Sequence, residues 1–142
     1  MITHDRFDDF LKENLRSLSV EEVEGLDLFI SKSCITCHTG PLLGGNMFQK
    51  SGLVKPYENQ EDLGRFDVTK NEVDKFMFKV PTLRNVALTA PFMHDGGVET
   101  LEETVKLMAD IQLNQQLTDF EIKKITAFLN SLSDKILAMN KK

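Results

Sequence analysis

The chain contains two cysteines, and their placement constrains it more than any other feature: Cys34 and Cys37 lie three positions apart, and His38 directly follows the second. A Cys-x-x-Cys-His run suits covalent haem attachment. Two thiols at that spacing on a turn reach the two vinyl groups, and the following imidazole rises to the iron. Two alternatives use the same residues. Half of a zinc site would need a second pair of ligands, but there are no further cysteines, and His4 and His94 do not restore a four-ligand set. A thioredoxin-like redox pair normally ends a strand in an alternating strand and helix pattern, which this sequence lacks. Haem c is the reading that motif and context favour.

The rest of the chain is consistent with a single domain of modest core, at 142 residues and 41% hydrophobic side chains. With 22 acidic against 17 basic side chains its formal charge is -5, the wrong sign for tracking a phosphate backbone, so nucleic acid is not expected as a partner. No run approaches the roughly 18 apolar residues of a membrane span, and the charged N-terminus lacks a signal-peptide apolar stretch. The chain therefore reads as soluble, either mature or a cut fragment.

Capping signals divide the sequence. Ser19 with Glu22 predicts a helix over about 20–32 through Val23, Leu26, Phe29 and Ile30. Thr100 with Glu103 predicts a second over about 100–110, with Leu101, Thr104, Val105 and Met108 on one face. Thr118 with Glu121 predicts a third to about residue 133 through Ile122, Ile125, Phe128, Leu129 and Leu132. Phe7, Phe10, Leu11 and Leu15 suggest a short helix within 5–16. Residues 39–80, with five glycines and two prolines, read as a long ordered loop, a type of segment that commonly wraps a ligand. The expected division is an N-terminal extension or linker remnant over 1–18 and one domain over 19–142.

This arrangement resembles the cytochrome c fold, so the expected fold class is all-α, a cytochrome c-like haem domain with a long haem-wrapping loop. In that family the first and last helices cross at a small residue. Gly25 is placed for the crossing, the alternative being a tolerated surface glycine, although a mid-helix glycine costs up to about 1 kcal/mol relative to alanine.

His38 takes one face of the iron. Met47, Met77, Met93, Met108, His94 and His4 are candidates for the other, and each methionine could equally be a flexible core filler. Spacing does not choose among them. Residues 78–96, FKVPTLRNVALTAPFMHDG, preceded by LGRFDVT at 63–69 and followed by TLEETVKLMADIQLNQQLTDFEIKKITAFLNSL, resemble the C-terminal haem domain of bacterial dihaem cytochrome c peroxidases. The likeness covers about residues 20–133. It implies that the methionine in the helix after the HDG turn, here Met108, is the second axial ligand. Met93 falls where the family commonly has an aromatic residue. The resemblance also implies that Arg84 meets a haem propionate, that the carbonyls of Thr89 and Pro91 help bind calcium, and that His94 lies near the inter-haem region, the alternative being a histidine satisfying turn carbonyls.

Complete members of that family carry two haem motifs, with peroxide reduced at the N-terminal haem and electrons supplied through the C-terminal one. This chain carries one motif and no tryptophan, whereas the family uses a tryptophan from the missing half between its haems. The expectation is a single-haem electron-transfer domain of the periplasm. It would accept electrons from a small donor cytochrome or cupredoxin and pass them to a peroxidatic haem domain missing here, as part of a larger peroxidase or as a natural single-haem protein. Two alternatives remain. One is a stand-alone peroxidase in which Met108 is displaceable and His94 serves as acid and base. The other is a haem-based redox or gas sensor.

Overall fold

The computed structural model describes residues 4–140. Helix α1 (Arg6–Leu11) precedes α2 (Val20–Ser31), which ends at Ser33 in the left-handed region (φ 71°) and passes into a 3-10 turn over Cys34–Thr36. Strand β1 (Phe48–Lys50), helix α3 (Phe66–Thr69), a 3-10 turn over Glu72–Asp74 and strand β2 (Met77–Lys79) follow. A 3-10 turn over Val86–Leu88 leads to α4 (Leu101–Leu113), α5 (Asp119–Ser131) and α6 (Lys135–Met139). No helix among the described residues is long and apolar enough to cross a membrane.

The three long helices begin where their caps place them. Ser19 and Thr118 each close a reciprocal capping box, with Glu22 and Glu121. Thr100 accepts from the Glu103 N–H, but the Glu103 carboxylate takes the Thr100 hydroxyl rather than its backbone N–H. This leaves a one-sided cap that still starts the helix, and α4 runs three residues beyond the expected end, to a left-handed Asn114 (φ 52°).

The core lies where α2 crosses α5. Gly25 meets α5 so closely that an added Cβ would sit 1.9 Å from the Lys124 carbonyl oxygen and 3.0 Å from the Phe128 Cβ. The expected crossing at Gly25 is therefore present, and the surface-glycine alternative is excluded. Phe128 and Leu132 are fully enclosed, Ile125 and Leu129 nearly so, and the Phe29 and Phe128 rings lie 5.4 Å apart.

The long ordered loop expected over residues 39–80 also holds a small ribbon: β1 and β2 pair antiparallel, Gln49 opposite Phe78, so the protein is helical with a small sheet. Pairing gives part of a glycine- and proline-rich segment partners for backbone groups that helices do not supply. Residues 5–18 pack onto the helices that follow. Phe7 and Leu18 are buried, the Phe7 ring makes an edge contact with Phe128 at 5.3 Å, and Arg6 pairs with the buried Glu22 through both guanidinium nitrogens. Residues 1–3 of the expected extension lie outside the described residues.

Candidate functional site

The Cys34–His38 turn is built by the end of α2. The left-handed Ser33 stops the helix, and the N–H groups of Cys37 and His38 both donate to the Cys34 carbonyl, at 3.3 and 3.1 Å. Both cysteines are free thiols, half-buried, with Cys34 packed against the core. Burial pushes the Cys34 thiol up to about 11, so it stands as a neutral thiol rather than a metal-binding thiolate.

His38 carries a more specific signal. Its ring is 6.2 Å from that of Phe29, and its Nδ1 is buried with no hydrogen-bond partner. Burial lowers the imidazole pKa, against opposing contributions from the Leu43 and Pro81 backbones, which keeps the ring neutral as a metal ligand requires. Those two backbones are locked together beside the ring. Gly45 donates to Val80 (2.8 Å), Leu83 donates to Leu42 (3.2 Å), and an added Cβ on Gly44 would lie 2.0 Å from the Pro81 carbonyl. The residue as a whole is only partly buried. Two free thiols and a buried imidazole are the donor set that covalent haem requires, and these residues fit it. Among the described residues no cluster of three or more histidine, cysteine or acidic side chains could hold a metal ion, which leaves the half-zinc alternative without partners.

The ribbon connects this turn to the HDG turn. Gln49 and Phe78 are paired across the strands and so share one face. The Gln49 amide reaches the Cys37 sulfur at 4.0 Å, and the Phe78 ring stacks on His94 at 4.2 Å with an interplanar angle of 17°. Tyr57 abuts His94 edge-on at 5.3 Å and donates its hydroxyl to Asp95 at 3.0 Å. Burial alone would raise the Asp95 carboxyl, but bonds from the Gly97 N–H (2.9 Å), Asn59 (2.9 Å) and Tyr57 outweigh it and hold the group below the usual carboxylate range. Lys50, Gly52, Tyr57, Phe76, Phe78 and His94 line a cavity of about 160 Å³. His94 thus belongs to an aromatic cluster and does not serve turn carbonyls. Gln49, Tyr57 and Phe78 carry no sequence signal for these positions, apart from Tyr57 being the only tyrosine.

The other named residues fall as follows. Met108 is half-buried on α4, sharing a face with buried Leu101 and core-packed Val105, yet it does not join the core cluster itself. Met47, Met77 and Met93 are likewise half-buried outside that cluster, so packing does not choose among the four. His4 pairs with Asp9 at 3.0 Å. Arg84, expected at a propionate, binds Asp5 at 2.6 Å, Asp8 at 3.1 Å and the Pro41 carbonyl at 3.0 Å, leaving its side chain 11% exposed. Asp5 is fully buried and claims that charge. Thr89 and Pro91 are exposed, and their carbonyls accept no hydrogen bond among the described residues.

No family model matches the chain. It is 48% identical over 129 residues to the cytochrome c551 peroxidase of Nitrosomonas europaea, covering 90% of this chain and 39% of that protein. It is 44% identical over 138 residues to the cytochrome c peroxidase Ccp of Escherichia coli, covering 94% of this chain and 30% of that protein. Among solved structures, it aligns at a TM-score of 0.79 and 28% identity with a MauG-like protein associated with microbial copper homeostasis, over 95% of this chain and 53% of that one. The chain thus spans well under half the length of these curated relatives.

Proposed function

Because the chain belongs to the dihaem cytochrome c peroxidase family and corresponds to one part of its longer members, we propose that it is the electron-transfer haem domain, taking one electron at a time from a small donor cytochrome or cupredoxin in the periplasm and relaying it to a peroxidatic haem domain. When bound, haem supplies a one-electron iron couple. This chain's residues hold and shield it. Cys34 and Cys37 would carry the two thioether links, and His38 and Met108 would hold the iron. Leu101 and Val105, on the face of α4 that carries Met108, limit water beside the thioether. Histidine and methionine ligation leaves no open position for peroxide, which is why transfer and not peroxide reduction is assigned to this part. Thr89 and Pro91, with free carbonyls, are the proposed calcium contacts toward the neighbouring domain.

The single observation carrying this reading is the buried imidazole of His38, its pKa lowered by burial, beside two free thiols. The ligand assignment is tested on the haem-loaded chain. Met108→Ala abolishes the near-infrared sulfur-to-iron band and lowers the midpoint potential, whereas Met93→Ala leaves both in place. The reverse pattern makes Met93 the ligand.

A further inference from the structure

Helix α4 packs on α5, and it is fastened to the rest of the protein a second time at its C-terminal turn. Residues 50–55 run across that turn. The Gln112 Oε1 accepts from the N–H groups of Gly52 (2.6 Å) and Leu53 (3.0 Å), while its Nε2 donates to the Lys50 carbonyl (2.9 Å). One amide therefore satisfies three backbone groups about sixty residues away. The Ile111 carbonyl, left without a helical partner near the helix end, accepts from Val54 (2.9 Å) and Lys55 (3.1 Å), and Lys55 pairs with Asp110. The crossing segment is itself stiff: Gly52 has φ 78°, and a Cβ there would lie 2.7 Å from both the Lys55 carbonyl oxygen and the Tyr57 nitrogen.

The two ends of this fastening matter together. Lys50 closes β1, the strand whose Gln49 touches the Cys37 sulfur, and Gln112 lies four residues beyond Met108, on the same face of α4. We propose that Gln112 is a positioning residue that sets how firmly Met108 is held over the group bound by Cys34, Cys37 and His38, by clamping the methionine-bearing helix to the strand that borders the cysteines. This rests on the reading of Met108 as the axial ligand. Loosening the clamp would raise the fraction of molecules whose thioether has moved away, and an external ligand would then compete more easily.

The test uses the haem-loaded chain and two readouts, the near-infrared sulfur-to-iron band and the affinity for added imidazole. Gln112→Asn keeps the amide but withdraws it by one methylene. Gln112→Glu keeps the reach and the two accepted N–H bonds. The expected result is a weakened band and about tenfold tighter imidazole binding for Gln112→Asn, the scale of one net hydrogen bond, with Gln112→Glu close to the unmodified chain. Gln112→Ala should match or exceed Gln112→Asn, and if it fails to fold, the Asn and Glu pair still decides. Equal behaviour of Asn and Glu, or an Asn variant indistinguishable from the unmodified chain, overturns the proposal. Met108→Ala runs alongside. If the band survives it, the ligand assignment has failed. If the band is lost there while the Gln112 variants are silent, only the clamp has failed.

Discussion

At the scale of single residues, Arg84 is the most informative. It satisfies the fully buried Asp5 and, through Asp8 and the Pro41 carbonyl, ties α1 to the loop following the haem-type motif. Removing the cation strands a carboxylate in the interior. Arg84→Met is expected to destabilise the haem-loaded chain by about 3 kcal/mol in urea unfolding, while the added replacement of Asp5 by Leu recovers much of that loss. The near-infrared band stays unchanged in both. A shifted midpoint potential without loss of stability would instead return Arg84 to a propionate. The pairing spans 79 positions and has no local sequence signal, which is why it could be found only in three dimensions. The Cys34–His38 turn, by contrast, was legible as a candidate site because covalent haem demands those residue types at a fixed spacing.

Among the elements, α2 and α5 were readable because each carries its own start signal and a 3.6-residue apolar period, both properties of contiguous sequence. Their crossing was readable from one glycine. In an exposed helix Gly25→Ala would stabilise by up to about 1 kcal/mol, yet here the new methyl meets the Lys124 carbonyl, so a loss of about 2 kcal/mol is expected from the thermal or urea midpoint. A gain in stability would mean that the helices do not meet there. The ribbon escaped the sequence reading because each strand is only three residues long, too short for an alternation to register. The same shortness hid the placement of Gln49 and Phe78 on one face, and with it the route from Cys37 to His94. The fastening by Gln112 depends on backbone groups of a distant segment and could be found only in three dimensions.

For the whole molecule, the chain carries one Cys-x-x-Cys-His run and no tryptophan, and it spans 39% and 30% of the length of two curated relatives. The proposed role rests on coordination: an iron closed on both faces exchanges electrons, and peroxide needs an open one. Residues 5–18 pack into this part through Phe7 and Leu18, so shortening the chain to residue 19 would uncover the Phe128 ring. The electronic spectrum of the oxidised chain, matured with covalent haem, bears most directly on the proposed role. A six-coordinate low-spin spectrum carrying the sulfur-to-iron band agrees with a closed electron carrier. A high-spin, five-coordinate spectrum, open to peroxide, would contradict it.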